Sequence, residues 1–287
     1  MSASVLRIAL PNKGQLALPA QQMLREAGYL QSHHPRDLIA VDPVHDIEFY
    51  FLRPRDIATY VGAGTIALGI TGRDLLRDVQ APAEEMMSLG FGASTFRLAV
   101  PAAVAIGDAL GWLNGRRIAT SYPGLLGEWL ASSGVTADVV RLDGAVENAV
   151  GLGVADAVAD VVDTGTTMRQ AGLVPVGEPL LISEAVLIGR AGASASPEVT
   201  RFLRRLSSVL VARAYVMVDY DIRADLVERA VSVTPGIESP TVSPLHDPEW
   251  VAVRALIARR GMHETMDALY ELGARGVLVT DIHACRL

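Results

Sequence analysis

The chain reads as an α/β protein of two lobes followed by a small β-α-β-β-α-β module, and three observations predict it. Half of its 287 residues are hydrophobic while only 5% are aromatic, an aliphatic bias that suits the Val, Ile and Leu runs of buried parallel strands. Up to about residue 184, strand-like runs alternate with helix-like ones, the pattern of parallel sheets covered by helices on both faces. Beyond Ala214 the order becomes strand, helix, strand, strand, helix, strand, a split βαβ arrangement.

Taken in order, Val5–Leu10 is a strand and Gln15–Ala27 a helix stopped by Gly28. Glu48–Leu52 is a strand leading into the helix Arg53–Val61, and Ile66–Thr71 a strand ending at Gly72. The second lobe repeats the scheme with strands Phe96–Val100, Arg117–Thr120, Asp138–Leu142 and Ala157–Val162, and helices Leu125–Ser132 and Ala145–Leu152. Ser183–Arg190 is a further strand, and Glu198–Ala214 is a helix with Phe202, Leu206, Val209, Leu210 and Arg213 at helical spacing. Both return to the first lobe. The expected domains are residues 1–92 plus 184–213, residues 93–183, and residues 214–287.

In the tail, Tyr215–Tyr220 is a strand and Ala224–Val233 a helix. Ser239–Pro244 is extended, and Val251, Val253, Ala255 and Ile257 alternate as a strand. Glu264–Leu272 is a helix ended by Gly273, and Gly276–Ile282 the last strand. That order is ferredoxin-like, which alone assigns no role.

Several function classes are disfavoured. The net charge is −7 with no Lys/Arg stripe, so nucleic acid is not an expected partner, although a few placed cations suffice for a small polyanion. The single cysteine, Cys285, excludes an intramolecular disulfide and a cysteine zinc cluster. The scattered His246, His263 and His283 show no metal spacing, and the adjacent His33 and His34 read as exposed. Val5–Leu10 is too short for a signal and is interrupted by Arg7. No run of about 18 apolar residues appears. A soluble cytoplasmic protein, away from membranes, is expected.

The most informative stretch is Asp160-Val161-Val162-Asp163-Thr164-Gly165-Thr166-Thr167-Met168. An acidic residue ends an apolar strand, and a Thr-Gly-Thr-Thr turn follows into a helix. Hydroxyls and free N–H groups at a helix N-terminus suit a phosphate, while Asp160 can accept hydrogen bonds from sugar hydroxyls. The plainer reading is a β-to-α turn capped by Thr. A loose echo links Gly64–Gly72 to Gly153–Asp160, each a glycine turn, a buried strand and a polar turn. Ligands of open α/β sheets bind at the carboxyl ends of strands, so the site is expected there, in a cleft between lobes.

The chain resembles the long, self-regulated ATP phosphoribosyltransferases, the first enzymes of histidine biosynthesis, essentially end to end. The resemblance is carried by Glu147, Gly153, Ala155, Asp160, Thr164, Gly165, Thr167 and Met168. Supporting blocks are Leu10–Gly14, Phe51–Ile57, Gly69–Leu75 and, in the tail, Thr234–Thr241. It implies a two-lobed, periplasmic-binding-protein-like catalytic core with a C-terminal ferredoxin-like regulatory domain. It also implies a glycosyl transfer in which N1 of ATP attacks C1 of phosphoribosyl pyrophosphate, and magnesium-bound pyrophosphate leaves.

On that resemblance Asp160, Val161, Asp163, Thr164, Gly165, Thr166 and Thr167 hold phosphoribosyl pyrophosphate. Lys13, Gly14, Arg53, Gly72, Arg73, Asp74 and Tyr122 face ATP, with Asp160, Lys13 and Arg53 as the catalytic set. Magnesium travels on the substrate pyrophosphate. Histidine is the expected allosteric inhibitor at Asp221, Ile237, Ser239, Thr241 and Gly276, AMP is a further inhibitor, and the oligomer is a dimer that assembles into hexamers.

Two departures from the pattern stand out. Val161 follows Asp160 where many phosphoribosyltransferases have a second acidic residue, and Asp163 puts a charge beside the phosphate turn. Each residue also has a plainer reading. Lys13 is then a solvated turn residue, Arg53 and Arg55 open a helix whose dipole disfavours them, Tyr122 is a packed loop aromatic, and Asp221 is a helix cap. A two-lobed binder without catalysis, or a phosphoribosyltransferase for another base, fits the lobes as well.

Overall fold

The computed structural model describes residues 5–30, 37–104, 109–162 and 165–286, which form three sheets. The chain divides into two units, Met1–Gln22 with Leu30–Thr200, and Met23–Tyr29 with Arg201–Leu287. It begins with β1 (Leu6–Pro11), α1 (Ala17–Glu26), β2 (Ile39–Asp42), β3 (Ile47–Leu52), α2 (Pro54–Gly62), β4 (Leu68–Gly72), α3 (Arg73–Val79) and β5 (Glu84–Ser88). It continues through β6 (Ser94–Pro101), α4 (Ala109–Trp112), β7 (Arg116–Thr120), α5 (Pro123–Ser133), β8 (Ala137–Arg141), α6 (Asn148–Gly151), β9 (Ala157–Val162), α7 (Thr166–Gln170) and β10 (Leu173–Ser183). Then come β11 (Ala185–Gly189), α8 (Pro197–Ala214), β12 (Tyr215–Arg223), α9 (Val227–Val233), β13 (Thr241–Pro244), β14 (Trp250–Ala258), α10 (Met262–Glu271) and β15 (Arg275–Asp281).

The first unit holds two sheets, ordered β2-β3-β1-β4-β11-β5 and β10-β6-β9-β7-β8. They are mixed, which corrects the expectation of parallel sheets. β1 pairs in parallel with β3 and β4, and β7 with β8 and β9. β4 and β9 then each take an antiparallel neighbour, β11 and β6. Those neighbours are the crossing strands: each enters its sheet directly from the other lobe, without a covering helix to restore parallel direction. The echo between Gly64–Gly72 and Gly153–Asp160 therefore falls on equivalent strands, each between one parallel and one antiparallel neighbour.

Packing follows from the pleat. Successive residues of β6, β7 and β9 point to opposite faces, and both faces are buried. Phe96, Leu98, Ile118, Ala157 and Ala159 pack on Leu126, while Ala99, Ala119 and Val158 pack on Val146 and Met168. In the first sheet, Ile57, Ala58 and Val61 of α2 lie against Ala9, Ile66, Val186 and Ile188. Gly69 permits that contact, because a Cβ there would stand 2.4 Å from Ile57 Cγ2.

Two local expectations fail. Helix Ala145–Leu152 shrinks to α6, because Ala145 has φ 48°, outside the helical well. The expected strand Ser183–Arg190 is broken at Glu184, with Ser183 ending the additional strand β10 and β11 following.

In the second unit β13-β14-β12-β15 is antiparallel throughout, the ferredoxin-like order expected. Val216, Val218, Tyr220 and Ile222 of β12 pack with Val253, Ala255, Ala230 and Leu269. Tyr29 packs on Phe202 with ring centres 5.2 Å apart, and Arg213 bonds Glu26 at 2.8 Å.

Candidate active site

The carboxyl ends of strands from both lobes meet at a cavity of about 170 Å3. Lys13 and Gly14 reach it from the turn after β1, and Pro54 from the start of α2. Gly72 and Asp74 come from the β4–α3 junction, Tyr122 from the end of β7, and Val161 from β9. Five of these belong to the predicted ATP-facing set and one to the phosphoribosyl pyrophosphate set. Arg53, exposed and extended at φ −64° and ψ 136°, precedes Pro54.

Asp160 lies within β9, two residues before its end, which corrects its expected place at the strand terminus. Burial pushes its carboxyl up to about 6. The Val161 N–H, donating at 2.8 Å, and the Ser121 hydroxyl oppose that shift, while Glu147 and Asp74 add to it. The turn that follows has Gly165 at φ 71°, with Thr166 and Thr167 exposed at the head of a five-residue helix. Asp163 and Thr164 lie outside the described residues.

Asp74 is buried and held from two sides. Its Oδ1 accepts from Ser183 Oγ at 2.7 Å, and Ser183 Oγ accepts from the Asp74 N–H at 3.0 Å. Tyr122 engages Asp74 from the second lobe. Burial first, then the Asp74 charge and hydrogen bond, and then the Asp160 charge raise the Tyr122 phenol, with Arg55 opposing. The Tyr122 ring packs against Phe96 at 5.5 Å and under the Arg55 guanidinium at 5.1 Å. The ring is thus packed on the protein while it still lines the cavity.

Arg73 sits beside these residues in sequence yet is committed to carboxylates. Its guanidinium bonds Glu85 twice at 2.8 Å, Glu184 at 3.1 Å and Ser88 at 2.8 Å. The Glu85 carboxyl is lowered chiefly by that contact. Ser183 and Glu184 were missed as site-supporting residues. Their signal was present, a polar pair interrupting an otherwise apolar strand pattern.

The predicted allosteric residues lie in the second unit. Ile237, Ser239 and Thr241 line a cavity of about 440 Å3 with Met217, Arg254 and Cys285. Asp221 lies on the Met217 face of β12, since alternate residues share a face, and its Oδ2 is 3.9 Å from where a Cβ on Gly276 would be. Among the described residues no group of three His, Cys, Asp or Glu side chains is arranged to hold a metal ion. No helix of the described residues is long and apolar enough to cross a membrane.

Loops from both lobes converging on one cavity, in a chain that also carries a ferredoxin-like tail, define a two-lobed α/β enzyme. The family profile described as HisG: ATP phosphoribosyltransferase matches residues 53–208, and that of the HisG C-terminal domain residues 212–284. ATP phosphoribosyltransferases from Salinispora tropica and Paenarthrobacter aurescens are 60% and 58% identical to it, each over 99% of this chain and 100% of the relative. The ATP phosphoribosyl transferase (HisG:HisZ) complex from Thermotoga maritima has the same fold, with a TM-score of 0.62 and 24% identity over 70% of this chain and 96% of that one. The chain belongs to the ATP phosphoribosyltransferase family. Its reaction is the transfer of a phosphoribosyl group to ATP in histidine biosynthesis.

Proposed function

We propose that the second lobe holds phosphoribosyl pyrophosphate and that the first lobe brings N1 of ATP to its C1. The observation that carries this reading is the convergence of Lys13, Asp74, Tyr122 and Val161 on one cavity, with Asp160 next to Val161. Asp160 accepts from the ribose hydroxyls, and Thr164 to Thr167 cradle the 5′-phosphate. Lys13, Gly14, Arg53, Gly72 and Asp74 face ATP and the pyrophosphate. The carboxylate partners of Arg73 support a supporting role for it at the lobe junction.

Displacement at an anomeric carbon develops positive charge on the sugar and needs no enzyme nucleophile. Alignment of two bound substrates is worth roughly 7–11 kcal/mol, and cations beside the departing pyrophosphate contribute much of the rest. Magnesium enters on the pyrophosphate, in keeping with an ion that retains waters and takes few protein ligands. We further read residues 1–92 with 184–213 and residues 93–183 as the catalytic lobes, and residues 214–287 as a regulatory domain that binds histidine through Asp221, Ile237, Ser239, Thr241 and Gly276. AMP competes at the nucleotide site, and the oligomer runs from dimer to hexamer.

The test is to mix the protein with magnesium, ATP and phosphoribosyl pyrophosphate and follow the near-ultraviolet absorbance of the N1 adduct. A rise that needs all three, and that Thr167→Ala and Asp160→Asn suppress, is expected. Faster transfer to another base would overturn the choice of acceptor. A crystal soaked with the donor and showing it away from Thr166 and Thr167 would overturn the donor site.

A further inference from the structure

Asp78 closes α3 in the first lobe, yet most of its polar partners come from the second. Its Oδ1 accepts from the backbone N–H groups of Gly124 at 2.8 Å and Leu125 at 3.1 Å. These lie in the first turn of α5, whose donors have no partner within the helix and whose dipole favours a negative charge. The residue at the α5 N-cap position, Tyr122, makes no side-chain cap, so a carboxylate from the other lobe supplies it. Asp78 Oδ2 pairs with the Arg55 guanidinium, which also donates to the Ser121 carbonyl at 2.5 Å. The approach is close: a Cβ on Gly124 would stand 2.2 Å from the Asp78 carbonyl oxygen.

The Asp78 side chain is 2% exposed. Arg77 and Glu128 bridge the same two helices on the surface, a kind of pair that contributes little. A buried carboxylate is different, since it is costly unless every lone pair is met, and such ionic sites fix register better than they add stability. The elements tied together are those that carry the site. Arg55 is two residues from Arg53, Asp74 lies in the first turn of the helix that carries Asp78 in its last, and Ser121 and Tyr122 adjoin Asp160.

We propose that Asp78 is a positioning residue for phosphoribosyl transfer, a latch that sets the register between the lobes. This rests on the reading that the two substrates sit on opposite lobes. Each substrate's own contacts then survive loss of the latch, while the alignment that joins them does not. Such misplacement costs on the order of a hundredfold in rate.

The test uses the full chain with Asp78→Ala and Asp78→Asn. Affinity for phosphoribosyl pyrophosphate, measured by calorimetry without ATP, should stay within about twofold of the starting protein. Turnover should fall about a hundredfold in Asp78→Ala and about tenfold in Asp78→Asn, whose amide oxygen still accepts from Gly124 and Leu125. Turnover of Asp78→Ala within about threefold of the starting protein would overturn the proposal, as would an equal loss of donor affinity. If Asp78→Ala does not fold, Asp78→Asn alone is read by the same split.

Nitroxides on Thr59→Cys and Ser132→Cys, in a Cys285→Ser background, give a readout independent of activity. A longer or broader distance distribution in the Asp78 variants is expected, and an unchanged one rejects the latch. Absence of any transfer by the starting protein, with the distances shifting as expected, would locate the failure in the functional reading instead.

Discussion

Asp160, the carboxylate proposed to hold the ribose, works against the fold that carries it. Its folded value of about 6 lies above the ordinary ~3.9 of an unfolded Asp. The folded chain therefore binds the proton more tightly, and the stability this contributes is complete below about pH 4 and lost as pH rises through about 6. Asp160→Asn removes the buried charge, so it should melt about 2–4 °C higher at pH 7.5. That gain should shrink toward zero near pH 4, as measured by thermal melts across pH. A variant no more stable at pH 7.5 would show that burial is not the cause of the shift. Turnover should fall on the order of a hundredfold, and the parent enzyme's rate should rise with pH through about 6. The strand and turn around Asp160 were legible because their whole signal lies within nine residues. The Asp74–Ser183 pair was not, since its partners are 109 residues apart and only the closed fold brings them together.

The elements divide along a similar line. The apolar strands β1, β3, β4 and β9 could be read from their own residues. β5 and β10 could not: one reads Glu-Glu-Met-Met-Ser and the other contains Pro175, Gly177, Glu178 and Pro179, so pairing partners rather than local preference make them strands. Strand direction was likewise illegible for β6 and β11, because it depends on which lobe the chain has just left. Where helix meets strand, the β4–α2 contact offers a direct test. Gly69→Ala places a Cβ 2.4 Å from Ile57 Cγ2 and 3.1 Å from Val61 Cγ2, in a fully buried layer. Overpacking of that kind costs about 1–3 kcal/mol and should appear as a lower denaturant midpoint. Because α2 begins beside Arg53, the KM for ATP should rise as well. Adding Ile57→Val should recover part of both losses, since neighbouring substitutions couple. Purely additive effects would mean that α2 does not bear the strain.

The molecule joins a two-lobed transferase to a ferredoxin-like domain, and the order of elements made that pairing legible while saying nothing of what the domain senses. If it senses histidine, the ligand acts only by binding one state of the assembly better than another. A coupling of 1–3 kcal/mol then corresponds to about a 5–150-fold change in affinity. Asp221 carries a carboxylate of the kind that can hold an α-amino group. It shares a sheet face with Met217, in the cavity wall beside Ile237, Ser239 and Thr241, and it adjoins Gly276, whose φ of 57° suits glycine. Asp221→Ala removes a carboxylate from the open face of the sheet and leaves the core residues Val218, Tyr220 and Ile222 untouched, so turnover without histidine should stay within about twofold. The histidine concentration for half-inhibition should rise at least about tenfold, and the melting-temperature gain that bound histidine confers should shrink with it. Because linkage is reciprocal, any change that histidine makes in phosphoribosyl pyrophosphate affinity should diminish in the same variant. Inhibition undiminished in Asp221→Ala would move the regulatory site elsewhere, whatever happens to the melts.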